Sequence, residues 1–396
     1  MELSLLEAVA RRFVTGFLGR FISSGCLILE EEGGTSFIFE GTSKKCSLKV
    51  VMRVHNPQFY WKVMTWADIG LADAYMNGDF SFPDTDEGLL NLILVLIANR
   101  EANKSVSKLN KKRGWWTPLL FTSGITSAIA FLKHVLNQNT LAQARRNISH
   151  HYDMSNEIFA MFLGETMAYS CAIFKTEDED LNTAQLRKYS LLIEKAQINK
   201  EHEVLEIGCG WGGLAIEVVK QTGCNYTGIS LSKEQLKFAE MKVKEANLQD
   251  RVRFLLCDYR ELPETYKYDR ILSCEMVEHV GHEYMEEFFG CCESILAEDG
   301  ILFYRRTSGF VTEHIFPGGC LPSLTRITSA MGAASKLRVE SVENIGRHLY
   351  RTMKCWRKSF LENRRELIYI FSYFYQPSTP VIIIIIISTQ YKGWPW

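Results

Sequence analysis

The string Glu206-Ile207-Gly208-Cys209-Gly210-Trp211-Gly212-Gly213 follows the strand-like run Val204-Leu205-Glu206-Ile207 with no spacer. Glycines directly after a strand let the backbone turn sharply and approach a ligand where a Cβ would collide. Such a turn suits NAD, FAD or S-adenosylmethionine. It lacks the G-x-G-x-x-G-plus-acid pattern of hydride carriers, because the second strand ends at Ser230 where a ribose-binding acid is expected. It also lacks the Lys-Ser/Thr pair of a triphosphate-binding loop. At the next strand-to-helix junction, Ser230 and Gln235 can hydrogen-bond a ribose; alternatively, Ser232 and Gln235 form a reciprocal helix cap. Cys257-Asp258-Tyr259 ends a third strand, where Asp258 can accept from an adenine amine and Tyr259 can cover the ring. A glycine turn, a polar pair and an Asp-aromatic pair, in that order, form the pattern of a class I adenosylmethionine site.

Other reactive groups lie outside these strand ends. Glu278 comes just past a strand, where chemistry in open α/β folds is usual, although a carboxylate at a helix start is also favoured by the dipole. Cys171 is either a functional thiol or a small buried hydrophobe. His279 and His282 sit three apart just after Glu278, but no third ligand completes a metal site and none is expected. His151 and Tyr152 either approach the ligand or stabilise a turn.

The elements that must position these groups fall into three stretches and a tail. Residues 1–95 read as a small α+β domain for lipid or substrate recognition. Strands are expected at Gly25 to Glu30, Thr35 to Glu40 and Cys46 to His55, with a turn at Gly33-Gly34 and a helix from Phe59 to Met76. Residues 96–195 read as a helical connecting and covering region. Within it, Lys104 to Trp116 gathers cations ahead of paired tryptophans, as a solvated linker or as an interfacial lipid patch. Residues 196–362 alternate strand and helix at the spacing of a parallel sheet covered on both faces. Residues 363–396 form an atypical tail. The fold class is α/β, with a Rossmann-like sheet plus the small amino-terminal α+β domain.

Composition narrows the function. Forty-five Lys+Arg against 46 Asp+Glu leave no net field to draw nucleic acid. Eleven irregularly spaced cysteines read as free thiols of a reducing compartment. The strongest apolar runs, Leu89 to Ala98 and Pro118 to Leu132, are shorter than the roughly 20 residues a membrane crossing needs. A cytoplasmic location with peripheral membrane contact is expected.

Taken in order, several strings resemble the cyclopropane-fatty-acid and mycolic acid cyclopropane synthase family. They are His151-Tyr152-Asp153-Met154-Ser155-Asn156, Tyr169-Ser170-Cys171-Ala172, the glycine turn, Asp258-Tyr259-Arg260, Glu278-His279-Val280-Gly281-His282 and Ile315 to Ser323. The resemblance covers residues 45 to 360, and the wording of Arg145 to Ser149 and Ser341 to Gly346 looks most like the plant branch. It implies an S-adenosyl-L-methionine-dependent enzyme that adds a methylene across a cis double bond of an unsaturated phospholipid, with methyl transfer to another acceptor or a catalytically impaired lipid-binding paralogue as alternatives. It further implies that Tyr169 and Ser170 contact the cofactor's methionine portion, and that Cys171 and Glu278 organise a bound bicarbonate as base.

The chain also departs from the family. Family members carry additional residues between the strand Gly300-Ile301-Leu302-Phe303 and the text matching Tyr304-Arg305-Arg306, including the position of a bicarbonate-binding histidine. A shortened strand in the sheet centre, with unpaired backbone groups, is therefore expected. After Glu362 the family text fades into a tail with six isoleucines, Ile382 to Ile387, and neither Tyr373 nor Tyr375 can be assigned the family's bicarbonate-site tyrosine.

Overall fold

In the computed structural model, which describes residues 3–43, 45–85, 87–107, 139–152, 156–305 and 322–367, the chain divides near residue 133 into two units. The Lys104 to Trp116 patch past residue 107, the run Pro118 to Leu132, most of Ile315 to Ser323, and the tail with Tyr373, Tyr375 and the isoleucines lie outside the described residues.

The first unit opens with α1 (Leu5–Phe21), started by a capping box in which Ser4 Oγ accepts from Glu7 N–H and Glu7 returns a carboxylate to Ser4 N–H. Its inner face, Ala10, Val14 and Leu18, is buried. Strands β1 (Cys26–Glu31), β2 (Ser36–Glu40), β3 (Lys49–Val54) and β4 (Phe80–Ser81) form one sheet in the order β2-β1-β3-β4. Alternation puts Leu27 and Leu29 inward. Glu31 follows them into the interior, where it is matched by Arg11 (2.6 Å) and by the Tyr60 hydroxyl (2.7 Å). Helix α2 (Gln58–Met76) follows the expected span, while the two-residue strand β4 is too short to leave a periodic signal. Helix α3 (Gly88–Ser107) runs unbroken through the boundary expected at residue 95. On α1, Leu5 (83% exposed), Val9 (57%) and Phe17 (45%) form an outward apolar stripe at four-residue multiples.

The second unit carries the parallel sheet. Helices α4 (Leu141–Tyr152), α5 (Asn156–Leu163) and α6 (Leu181–Lys195) precede it. Then come β5 (Glu203–Ile207), α7 (Gly213–Thr222), β6 (Asn225–Ser230), α8 (Lys233–Glu245), β7 (Val252–Leu256), β8 (Tyr268–Cys274), α9 (Met285–Ile295) and β9 (Leu296–Arg305). Helices α10 (Leu324–Ala334) and α11 (Gly346–Glu362) complete the described part. The strand order is β7-β6-β5-β8-β9 with every pair parallel. From β5 the chain first winds one way, to β6 and β7, and then the other, to β8 and β9, which creates a switch point at the carboxyl end of β5.

Strand β9 corrects the expectation of a shortened central strand. Among the described residues it lies at the sheet edge, and its ladder with β8 continues through Ser273–Tyr304 to Cys274–Arg305. Tyr304 and Arg305 take the next ladder positions directly after Phe303, so no gap opens there. The irregularity falls at the other end, where Tyr268 pairs with Leu296 but Arg270 pairs with Ile301. The four residues Ala297 to Gly300 stand against the single Asp269 and bulge out before the main ladder begins.

The glycine turn is held down on β6. Gly208 and Cys209 both give their N–H groups to Ile229 O at 3.0 Å. Gly228 makes room for this, since a Cβ there would stand 2.8 Å from Cys209 Cβ and from the Phe254 ring. Gly228→Ala is expected to overpack this contact and cost about 1–3 kcal/mol, read as a lower urea midpoint by circular dichroism.

Candidate active site

The carboxyl ends of β5, β6, β7 and β8 open into a cavity of about 150 Å³. Its wall brings together Tyr169, Ser170, Gly208, Gly210, Ser230 and Gln235. Asp258 and Tyr259 complete the same wall. Gly208 and Gly210 adopt φ of 86° and 52°, in the region that favours glycine. A Cβ at 208 would meet Met276 at 2.8 Å, whereas nothing stands within 4 Å of one at 210, so the backbone there faces open space. Trp211 anchors the turn by donating from Nε1 to Asn156 Oδ1 at 2.7 Å, and Asn156 in turn donates to Glu234 O at 3.1 Å.

Ser230 and Gln235 hold each other. Ser230 Oγ donates to Gln235 Oε1 (2.8 Å) and accepts from Ser232 N–H (3.2 Å). Ser232 Oγ accepts from Gln235 N–H (3.2 Å), so half of the expected capping box forms. The Gln235 side chain turns to Ser230 instead of returning to Ser232. Asp258 accepts from Arg260 on both oxygens at 2.8 Å and caps the short 3-10 turn Tyr259–Glu261. A paired carboxylate retains further lone pairs for a ligand donor. Tyr259 packs edge-on against Phe288 at 5.2 Å.

Tyr169 sits in an aromatic cluster, with ring centroids at 5.6 Å from Phe159, 6.1 Å from Phe162 and 5.4 Å from Trp356. Ser170 Oγ accepts from Lys188 Nζ at 2.6 Å. Lys188 is completely buried, with its ammonium 4.6 Å from the centre of the Tyr189 ring. Glu206, also on the wall, accepts from the Tyr226 hydroxyl at 2.7 Å. Burial pushes the Glu206 carboxyl up to about 7, against the opposing pull of that hydrogen bond and of the Lys188 charge. Burial also holds His279, another wall residue, down to about 4, which keeps its imidazole neutral at pH 7.

Cys171 and Glu278, expected as the catalytic pair, do not border this cavity. The Cys171 thiol is buried against Ala172 O (3.4 Å) and Thr352 Oγ1 (3.9 Å) of α11. Glu278 packs inward on the 3-10 turn Val277–His279. His151 and Tyr152 end α4, and their side chains lie outside the described residues. The carboxylate on the wall at this end is Glu275, which sequence reasoning passed over. Its φ of 54° is left-handed for a residue with a Cβ, a conformation that costs about 1–3 kcal/mol and persists only where its surroundings enforce it. Glu275 Oε1 accepts from Cys171 N–H at 2.7 Å. The only signal in the sequence is an acid immediately after an apolar strand, the same cue that pointed to Glu278.

A central glycine turn at the switch point of a parallel sheet ordered 3-2-1-4-5 defines the class I S-adenosylmethionine-dependent methyltransferase fold. The family model for mycolic acid cyclopropane synthetase matches residues 139–376, more than half of the chain, and the chain belongs to that family of methyltransferase enzymes. Tuberculostearic acid methyltransferase UfaA1 of Mycobacterium tuberculosis is 32% identical over 323 residues, covering 76% of this chain and 70% of the relative. The cyclopropane-fatty-acyl-phospholipid synthase of Escherichia coli is 30% identical over 320 residues, covering 78% and 76%. The crystal structure of mycolic acid cyclopropane synthase CmaA1 complexed with SAH and CTAB superposes with a TM-score of 0.55 at 27% identity, covering 61% of this chain and 94% of that one.

The Glu206 carboxyl makes stability depend on pH. Its folded pKa of about 7 lies above the ordinary 4.5, so the folded state holds the proton more tightly than the unfolded chain. The stability it contributes is complete below 4.5 and is lost as pH rises through 7, by on the order of 3 kcal/mol. Glu206→Gln keeps an acceptor for Tyr226 and is expected to flatten that slope in denaturant titrations run across the window.

Proposed function

We propose that the chain is a cyclopropane-fatty-acyl-phospholipid synthase, transferring a methylene from S-adenosyl-L-methionine to a cis double bond of a phospholipid acyl chain. The observation that carries this reading is one cavity lined by the glycine turn, the Ser230–Gln235 pair, Asp258 with Tyr259, and Tyr169 with Ser170. The wall suits a cationic cofactor. A Cβ at Gly210 would fill the space its backbone leaves open, and Glu206 and Glu275 offer carboxylates toward an ammonium and a sulfonium. In this reading Gly208 and Gly210 give the backbone close approach, Ser230 and Gln235 bind the ribose, and Asp258 and Tyr259 take the adenine. Tyr169 and Ser170 hold the methionine portion, with Ser170 fixed by Lys188.

The cofactor, when bound, supplies an electrophilic methyl group. The chain's task is to hold the alkene in line with that methyl and to keep water away from the positive charge left on lipid carbon. The Phe159, Phe162, Tyr169 and Trp356 cluster provides aromatic ring surface beside the cavity. Such faces stabilise a cation by about 0.5–2 kcal/mol. Bicarbonate is implied by the resemblance alone, and the two residues expected to hold it do not line the described cavity. Cys171 N–H is already given to Glu275, the Cys171 thiol faces Thr352, and Glu278 stands off the cavity. No step is assigned to it; Cys171 and Glu278 are read as supports behind the wall.

Residues 1–95 are read as the lipid-recognition part, and peripheral contact with a cytoplasmic membrane face follows from the substrate. Among the described residues no helix is long and apolar enough to cross a membrane. The outward stripe of α1 supports surface contact, since apolar side chains flanked by Arg12 and Arg20 suit the headgroup boundary. The plant-like wording noted in the sequence belongs to this reading as well.

Incubation with adenosylmethionine and cis-unsaturated phospholipid vesicles should add one methylene by mass spectrometry, with loss of the alkene proton signals. Methylation of an amine or hydroxyl with the alkene intact would reject the reading in favour of another acceptor. Changing Leu5, Val9 and Phe17 together to Ser should lower vesicle co-sedimentation about tenfold or more, at roughly 0.8 kcal/mol per buried methylene. Undiminished binding would remove α1 from the membrane contact.

A further inference from the structure

Helix α6 presents two fully buried polar side chains, Gln185 and Lys188, three residues apart on one face. Both reach the segment that carries Tyr169 and Ser170. Gln185 Nε2 donates to Ser170 O at 2.8 Å and to Ala168 O at 3.3 Å, which fixes the backbone. Lys188 Nζ donates to Ser170 Oγ at 2.6 Å, which fixes the side chain. Ser170 lines the cavity, whereas Lys188 stands one layer behind it. A wholly buried ammonium persists only where its partners offset the loss of water.

An ammonium can only donate, so at this contact the Ser170 oxygen can only accept. The hydroxyl proton must therefore point away from Lys188, and among the described residues no group takes it. A lining hydroxyl in that state is a donor toward the cavity, and a donor suits an anionic group. The Lys188 charge adds positive potential from behind; it is felt at Glu206, whose carboxyl it draws down against burial. The methionine portion of adenosylmethionine ends in an ammonium and a carboxylate. Glu206 and Glu275 on the wall suit the ammonium and repel the carboxylate, which leaves the Ser170 end for the anion.

We propose that Lys188 is a positioning residue that sets specificity: it locks the Ser170 hydroxyl as a donor, so that the site selects a ligand whose amino-acid end keeps its α-carboxylate. The inference rests on the reading of Ser170 as a contact of the methionine portion, and it holds whichever acceptor is methylated. In the wild-type site the carboxylate accepts from Ser170 O–H, with the Lys188 charge behind it. With a neutral side chain at position 188 the hydroxyl is released to turn back, and the positive potential is gone.

The test is isothermal titration calorimetry with adenosylmethionine and with its decarboxylated analogue, which lacks the carboxylate but keeps the ammonium and the sulfonium. Wild type should bind adenosylmethionine about 10- to 100-fold more tightly than the analogue, the strength of a hydrogen bond to a charged group. In Lys188→Met that ratio should fall about tenfold through weaker binding of adenosylmethionine. The analogue should bind as before or more tightly, because a repelling cation has gone. Altered ionisation of Glu206 acts on the ammonium and sulfonium that both ligands share, so it cancels in the ratio. Loosened packing would weaken both ligands alike; that result, or an unchanged ratio, overturns the proposal. Ser170→Ala, with Lys188 in place, gives a second reading should that variant fail to fold. The ratio should fall as far, and retained discrimination overturns the proposal. Wild type that binds neither ligand overturns the cofactor reading and this inference with it, whereas wild type that binds both equally overturns the inference alone.

Discussion

The constraint on which the second unit depends is the reversal of winding at β5. The helices α7 and α8, on the way to β6 and β7, join one buried cluster against the sheet, and α9, on the way to β9, joins the other. No connection covers the carboxyl end of the central strand, so a crevice must open there. Residues that follow Ile207, Ser230, Leu256 and Cys274 are brought to that crevice by strand pairing alone. The loop chemistry is thus an outcome of sheet topology, and the side chains only tune what the crevice accepts.

That tuning uses charge placed where water is scarce. Lys188, Glu206 and Tyr226 are buried around the cavity floor, and each has a stated partner, as buried polar groups require. The first unit repeats the theme with Glu31 between Arg11 and Tyr60. The two cases differ in what they face. Glu31 points into a closed interior, whereas Glu206 borders open cavity and has a charge state that an arriving cation can change.

The features legible in the sequence were those that backbone geometry forces on residue type. A turn needing φ of 86° and 52° within three residues wrote itself as Gly208 and Gly210, and strand ends wrote themselves as changes of periodicity at Ser230 and Asp258. Glu275 was illegible because its left-handed backbone is enforced by tertiary contacts and carries no glycine to announce it. The direction of the Cys171 thiol depends on Thr352, 181 residues away, a contact that motif spacing cannot encode. The bulge that lets β9 reach Arg305 depends on a register shift against Tyr268 and Arg270, which the apolar pattern of either strand leaves open. Tyr169 and Ser170, named from the resemblance, line the same cavity as the glycine turn, whereas Cys171 and Glu278, named from it as well, do not.

A carboxyl poised near neutrality on the cavity floor makes Glu206 a proton reservoir coupled to occupancy. A ligand bearing positive charge favours the ionised form, so its arrival expels a fraction of a proton whose size depends on ambient acidity. Heats of association measured by calorimetry would then vary with the ionisation enthalpy of the buffer. Ligand grip would strengthen in mildly alkaline solution, even though the folded scaffold itself is firmer toward acid.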